Sequence, residues 1–160
     1  MIKKIVPMIM LTCSFAVNAD ISIGTAYGDL KIDSSGDGLW KTQTYALNSQ
    51  VVGKSEYLEV DGQLLGMTSK GNYVVLRGAI GGSACAYALS IVVVNDSGVT
   101  FSPMLSACGG VENVEFNNGI TTVTAYERDE QTQVVYKVNG RKVTKNGKDM
   151  MVKHSFTTEY

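Results

Sequence analysis

The side chains that could do chemistry are few and far apart in this sequence. Its only histidine is His154, and the chain contains neither a GxSxG motif nor a CxxC motif. A serine nucleophile needs a general base within hydrogen-bond reach, and His154 is the only imidazole that could serve. A zinc site needs several His or Cys ligands, which the sequence does not supply. We therefore predict a protein that is not an enzyme and that holds no cofactor.

Two glutamate pairs are the remaining candidates for acid–base chemistry. Glu56 and Glu59, like Glu112 and Glu115, are three residues apart, so in a strand the two members of each pair face opposite sides of the sheet. Glycoside hydrolysis instead needs two carboxyl groups on either side of one bond. We expect exposed carboxylates at these positions. A hydrolase whose acids are brought together by folding remains the enzyme alternative, and it predicts a cleft lined by two or more buried acids.

Residues 33–38 resemble the opening of a calcium-binding loop. They place oxygen ligands at Asp33, Ser35 and Asp37, followed by a glycine. The twelfth position of such a loop requires a bidentate Glu, and this chain has Thr44 there. The segment is therefore a weak calcium candidate, and we expect a turn stabilised by its Asp side chains and no metal site.

The start of the chain has the features of a cleavable export signal. Lys3 and Lys4 precede an apolar stretch over residues 5–17, which is too short to span a bilayer. Val17 and Ala19 are suitable residues for signal peptidase, so we predict a signal peptide over residues 1–19, cut after Ala19, and one domain over residues 20–160. A lipoprotein acylated at Cys13 and an uncleaved anchor are the alternatives.

Cleavage would also change the cysteine count and the charge. Removing Cys13 leaves Cys85 and Cys108, an even pair that in an exported protein predicts a disulfide. The chain has 14 Lys and Arg against 15 Asp and Glu, and subtracting Lys3 and Lys4 leaves 12 against 15, a net charge near −3. Binding to nucleic acid needs many cationic side chains, so we expect no nucleic-acid partner.

One segment of the chain has a clear excess of positive charge. Six Lys and Arg residues between 137 and 153 face the single acid Asp149; they are Lys137, Arg141, Lys142, Lys145, Lys148 and Lys153. Lysines on an exposed hairpin discourage edge pairing, and we expect that role here. Contact with an acidic partner or with an anionic membrane surface is the alternative.

A period of two dominates the rest of the chain and predicts strands joined by tight turns. Asn139-Gly140 is a strong hairpin signal and predicts pairing of Val138 with Arg141. Asp61-Gly62 predicts a second hairpin, between residues 56–60 and 63–67. Further turn signals fall within residues 33–38, 70–72, 96–98, 117–119 and 145–147.

The strands between these turns indicate an all-β fold. We predict strands over residues 39–45, 73–80, 87–94, 111–116 and 120–126. Residues 87–94 are apolar at nearly every position, so this strand should be buried on both faces. We therefore predict a single small antiparallel β-sandwich, or a barrel or meander, with one disulfide.

Residues 81–146 resemble a group of uncharacterised exported bacterial proteins. The resemblance rests on Gly81-Gly-Ser-Ala-Cys85, an apolar strand, Ser102-Pro103 and Cys108, followed by a hairpin containing Tyr136 and Gly140. These proteins share a two-cysteine core and have no assigned function. The resemblance implies a bacterial origin and hence a periplasmic location.

The alternating pattern of the last nine residues suggests one alternative, a small outer-membrane β-barrel. Val152, His154, Phe156, Thr158 and Tyr160 alternate with other residues and end on an aromatic side chain, as in the last strand of a small outer-membrane barrel. Such barrels also need aromatic girdles and about eight apolar-out strands, whereas Lys and Glu interrupt most runs here. We therefore expect no stable membrane insertion.

These expectations favour a soluble periplasmic protein that binds another exported protein, as an inhibitor or immunity protein of a hydrolase or toxin. Loops on a stapled β scaffold suit protein recognition. We predict that the contact surface is formed by Asp33 and Asp37 together with the loop that contains Ser102, Pro103 and Met104. Apart from the disulfide, little in the sequence would order that loop. Trp40, the only Trp, should lie in the core, with a role as binding anchor as the alternative. An envelope structural or stress protein is a further alternative.

Overall fold

The described chain is built from β-strands with one short 3-10 turn. The computed structural model describes residues 21–81, 85, 87–150 and 155–158. The first sheet comprises β1 (Ile21–Thr25), β2 (Gly28–Ser35), β3 (Thr42–Leu47) and β4 (Gln50–Ser55). The middle sheet comprises β5 (Glu59–Thr68), β6 (Gly71–Ala79), β7 (Tyr87–Asn95), β8 (Gly98–Phe101) and β9 (Leu105–Ala107). The third sheet comprises β10 (Val111–Asn117), β11 (Ile120–Tyr126), β12 (Gln133–Asn139), β13 (Lys142–Lys145) and β14 (Lys148–Asp149).

Each sheet is an antiparallel meander of strands that follow one another in the chain. The order is β1-β2-β3-β4, then β5-β6-β7-β8 with β9 returning to the other end of β7, then β10 to β14. Tight turns make this order possible; Asn146 and Gly147 both have positive φ, as a two-residue turn of type I′ requires. The predicted antiparallel all-β class is confirmed.

Two hydrophobic cores lie on opposite faces of the middle sheet. Val92 and Val94 of β7 belong to the core shared with the first sheet, whereas Ile91 and Val93 belong to the core shared with the third sheet. Successive side chains of a strand alternate between faces, so an apolar β7 can serve both cores at once. The predicted burial of this strand on both faces is confirmed.

The hairpin predicted at Asp61-Gly62 is wrong, because β5 continues straight through both residues. Asp61 pairs with Arg77 on β6, and Arg77 Nη2 lies 2.5 Å from the carboxylate of Asp61. A Cβ on Gly62 would lie 2.5 Å from Cδ1 of Ile23. The glycine therefore allows β1 to approach β5 closely, and the chain turns only at residues 69–70.

The hairpin predicted near Asn139-Gly140 forms with a different register. Val138 pairs with Val143, not with Arg141, because the two turn residues are Gly140 and Arg141. Gly140 has φ +59 and takes the first turn position, where a type II′ turn favours glycine. The observed register places two buried valines opposite each other.

Candidate functional site

A short exposed tip carries two large apolar side chains at one end of the first sheet. Leu39 is 81% exposed and Trp40 is 88% exposed, the highest values among the exposed large hydrophobic residues of the described chain. Both lie in the 3-10 turn Gly38–Trp40, between β2 and β3. We call residues 36–41 the tryptophan tip.

The tip owes its shape to glycine and to one backbone hydrogen bond. Gly36 has φ +86, and a Cβ there would lie 2.4 Å from the carbonyl oxygen of Trp40. The amide of Trp40 donates to the carbonyl oxygen of Asp37 at 3.1 Å and closes the turn. The chain therefore folds back tightly, in a conformation that a residue with a side chain would strain.

The expectation that Trp40 lies in the core is wrong. The strand predicted over residues 39–45 begins only at Thr42, so Trp40 lies in the turn and outside the alternating pattern. Tyr45 fills the core position nearby and is fully buried. The structure leaves Trp40 available as a contact residue, and the anchor role remains a prediction.

A buried hydrogen-bond network braces the base of the tip. Gln43 is 1% exposed, and its side-chain nitrogen donates to the carbonyl oxygen of Tyr57 at 2.9 Å. The hydroxyl of Ser34 donates to the side-chain oxygen of Gln43 at 2.5 Å. Because a satisfied buried amide fixes the groups around it, β2 and β3 are held to the link between the first and middle sheets.

A groove of about 630 Å³ lies beside the tip. It includes Thr42, two residues after Trp40, and Ile80, which is partly exposed. Its lining also includes Lys54, Glu56, Tyr57 and Thr157. Burial raises the pKa of Tyr57 to about 12, so its hydroxyl is a neutral hydrogen-bonding group at ordinary pH. The groove thus offers apolar surface together with hydrogen-bonding groups.

The weak calcium candidate does not have the geometry of a calcium loop. Asp33 and Ser35 lie within the extended strand β2, paired with Thr44 and Thr42, whereas a calcium loop curls its first residues around the ion. Asp37 follows in the turn, and all three candidate ligands are exposed. Within the described residues, no group of three or more His, Cys, Asp or Glu side chains is placed to hold a metal ion.

The predicted contact loop at Ser102, Pro103 and Met104 is ordered and largely buried. Ser102 is 2% exposed, and its hydroxyl accepts a hydrogen bond from the amide of Ile91 at 3.0 Å. Pro103 is buried as well, and the sulfur of half-buried Met104 accepts a hydrogen bond from the hydroxyl of Tyr57 at 3.3 Å. Ser102 and Pro103 pack inside the fold because β9 follows directly and pairs with β7, so the expected exposed loop is not seen here and the contact role stays a prediction.

The predicted disulfide is confirmed. Cys85 and Cys108 are joined with an S–S distance of 2.03 Å. Cys85 lies two residues before β7 and Cys108 lies directly after β9, and these strands pair through Tyr87 and Ala107. The bond therefore closes the end of the β7–β9 pairing.

The basic segment has internal partners. Lys145 donates to Glu127 at 2.6 Å, which raises the pKa of the Lys145 ammonium. The Nζ atom of Lys142 lies 3.8 Å from Oδ1 of Asp149, and both side chains are largely exposed. Lys153, like His154 and the predicted signal peptide over residues 1–19, lies outside the described residues. Part of the positive charge is thus balanced within the third sheet.

The two glutamate pairs lie on the surface. All four carboxylates are exposed; Glu112 accepts a hydrogen bond from Gln133 at 2.6 Å and Glu115 accepts one from Asn113 at 2.9 Å. A hydrogen bond from a neighbouring exposed amide is typical of a solvated sheet surface.

Sequence reasoning missed the role of Phe156. The alternation of residues 152–160 suggested a strand, but the structure places Phe156 in the core between the first and middle sheets, at 2% exposure. An isolated phenylalanine among polar residues near the end of the chain was the signal that could have identified it.

No helix in the described part of the chain is long and apolar enough to cross a membrane.

No relative of this chain was found among known proteins. Searches against protein-family models, curated proteins and solved structures found no match to this chain. The resemblance of residues 81–146 to exported two-cysteine proteins therefore stays a prediction.

Proposed function

We propose that this chain is an exported, periplasmic protein-binding module that inhibits or neutralises a hydrolase or toxin, and that the tryptophan tip is its anchor. One observation carries the proposal: Leu39 and Trp40 are 81% and 88% exposed, side by side, on a tip whose base is fixed. Their exposure needs an explanation that packing does not provide.

The energetics favour a concave protein partner for the tip. Burying one Trp side chain removes about 150–250 Å² from water, worth roughly 4–6 kcal/mol before the costs of association. Tryptophan is also enriched among the few residues that dominate binding energy in protein interfaces. A protruding Leu-Trp pair fits the cleft of a hydrolase or toxin, where its insertion would block access of substrate.

The scaffold supports the same use. The buried amide of Gln43 braces the tip, and the Cys85–Cys108 disulfide stabilises the middle sheet. A rigid loop loses little conformational entropy on binding, which improves affinity without adding contacts. A disulfide is also compatible with an oxidising compartment such as the periplasm.

Capture from periplasm with matched variants tests this proposal. Tagged wild-type protein, Trp40→Ala and Met67→Ala are incubated with periplasmic extract, and bound proteins are identified by mass spectrometry. Met67 is 65% exposed and lies on β5, away from the tip, so it controls for loss of an exposed apolar side chain. We expect one partner that wild type and Met67→Ala retain and Trp40→Ala loses, and whose hydrolytic or toxic activity falls when wild type is added.

Two results would refute the proposal. A partner retained equally by Trp40→Ala would remove the tip from the interface, and a captured partner with unchanged activity would remove the inhibitory role. The hydrolase alternative predicts turnover of a substrate by the purified chain itself. The envelope-component alternative predicts no hydrolase or toxin gene beside the gene for this chain.

A further inference from the structure

The C-terminal segment, residues 155–158, docks on the edge of the first sheet. β4 is the last strand of that sheet, and the carbonyl oxygen of Lys54 accepts a hydrogen bond from the amide of Thr158 at 2.9 Å. The hydroxyl of Thr158 lies 3.2 Å from the same oxygen. At the other end of the segment, Ser155 forms an antiparallel bridge with Pro103. The segment therefore spans from the first sheet to the middle sheet.

An aromatic pocket and a glycine give this docking site its specificity. Phe156 is 2% exposed, and its ring centroid lies 4.6 Å from that of Tyr57 and 6.3 Å from that of Tyr45. The next residue, Thr157, packs on Gly53, where a Cβ would lie 3.2 Å from the Cβ of Thr157. The site thus selects an aromatic side chain followed by a small β-branched one.

The described part of the segment and the end of β4 line a common groove. β4 has six residues, and within the described chain the segment pairs with it at Lys54 alone. The groove of about 630 Å³ lies alongside, between Thr42, Glu56 and Ile80. A strand that stayed paired with the chain beyond Lys54, towards Tyr57, would form more main-chain hydrogen bonds and would fill the groove. This is the pattern of strand addition, in which main-chain bonds give affinity and side-chain pockets give specificity.

We propose that the β4 edge is a strand-addition site for an extended segment of a partner protein, with an aromatic residue for the Tyr45–Tyr57 pocket and a Thr or Val after it. The chain's own C-terminal segment occupies the site until the partner displaces it. A tethered segment competes at an effective concentration on the order of millimolar, so the site is selective for segments that pair better. This inference goes beyond the proposed function and does not depend on the tryptophan tip.

A peptide supplied in trans tests the site. The probe is a fluorescein-labelled peptide with residues 152–160 of this chain, and its binding to full-length protein is measured by fluorescence anisotropy. Phe156→Ala weakens the resident competitor, so the probe should bind this variant at least tenfold more tightly than wild type. The same peptide with Ala at position 156 should bind at least tenfold more weakly than the probe.

Further variants separate opening of the site from general loosening. Phe116→Ala removes a half-buried ring that packs on Tyr73 at the edge of the other core, and this variant should bind the probe as wild type does. Adding Gly53→Val to Phe156→Ala fills the space that Thr157 needs and should abolish binding. Thr158→Pro removes the N–H that bonds to Lys54, keeps Phe156, and should bind more tightly than wild type even if Phe156→Ala does not fold.

The proposal is overturned if neither Phe156→Ala nor Thr158→Pro gains affinity for the probe. Equal binding of the Ala-substituted peptide would show that the aromatic pocket is not used. Equal gain in Phe116→Ala would show that loosening of the fold, not release of this edge, explains the binding.

Discussion

At the scale of single residues, Thr121 is a polar side chain in an apolar core. It is fully buried between Phe116 and Val138, and within the described chain its hydroxyl has no hydrogen-bond partner. An unsatisfied buried hydroxyl keeps its desolvation cost without compensation. Thr121→Val keeps the shape and removes that cost, so we expect the free energy of unfolding to stay equal or to rise by about 1 kcal/mol in urea titrations.

Ser90→Ala is the matched control for that substitution. Ser90 is also fully buried, but its hydroxyl donates to the carbonyl oxygen of Ser102 at 3.1 Å. Losing this bond leaves an acceptor unsatisfied, so the free energy of unfolding should fall by about 1–2 kcal/mol. A loss in Thr121→Val as large as that in Ser90→Ala would contradict this account of Thr121.

Buried tyrosines should make the fold sensitive to alkali. Burial raises the pKa of Tyr57 from 10.0 to about 12 and raises that of Tyr45 further. The folded state holds these protons more tightly than the unfolded chain does, so this contribution to stability is complete below pH 10 and is lost as the pH rises towards 12. Unfolding titrations across this range should show a shallower decline for Tyr57→Phe than for wild type. Identical declines would contradict the role of Tyr57.

At the scale of elements, Gly62 sets the contact between β1 and β5. A Cβ there would lie 2.5 Å from Ile23 and 2.9 Å from Leu76, so Gly62→Ala overpacks the first core. We expect the free energy of unfolding to fall by about 1–3 kcal/mol. The control is Gly24→Ala on β1, where the nearest atom, in Asp29, is 3.9 Å away and stability should be retained. Equal stability of the two variants would contradict the packing described for β5.

Local patterns predicted β6, β7, β10 and β11 because their physical causes are local, whereas β1, β2 and β4 of the first sheet were not predicted. The apolar run of β7 requires burial on both faces wherever the strand lies, and β11 was predicted over its full length from alternation and the turn before it. The dipeptide Asp61-Gly62 misled because glycine serves close approach as well as turns. Only the packing of Ile23, far away in sequence, distinguishes the two uses.

The candidate site was predicted less well because its features depend on distant contacts. The exposure of Trp40 follows from where β3 begins, at Thr42, and the burial of Ser102 follows from the return of β9 to β7. Neither event has a local signature. The cysteine pair was predictable because removal of the predicted signal peptide, which contains Cys13, leaves an even number of cysteines.

At the scale of the whole molecule, the disulfide closes one end of the middle sheet, next to the turn that leads into the third sheet. Cys85 precedes β7, and the turn after Cys108 bonds to β11, where Gly109 donates to the carbonyl oxygen of Tyr126 at 3.0 Å. Replacing both cysteines by Ala should lower the free energy of unfolding by about 3 kcal/mol, measured by urea unfolding under oxidising conditions. Wild type treated with reductant should show a similar loss. A double variant as stable as oxidised wild type would contradict the structural role of the bond.

At this scale, the exposed tryptophan tip stands at the end of a β-sheet scaffold that one disulfide closes, and we propose that the tip binds a protein partner. The most direct measurement is the dissociation constant of the captured partner for wild type, Trp40→Ala and Met67→Ala by titration calorimetry. We expect the Trp40→Ala complex to be at least thirtyfold weaker, about 2 kcal/mol, and the affinity of the Met67→Ala complex to change by no more than twofold. A Trp40→Ala complex within twofold of wild type would contradict this proposal.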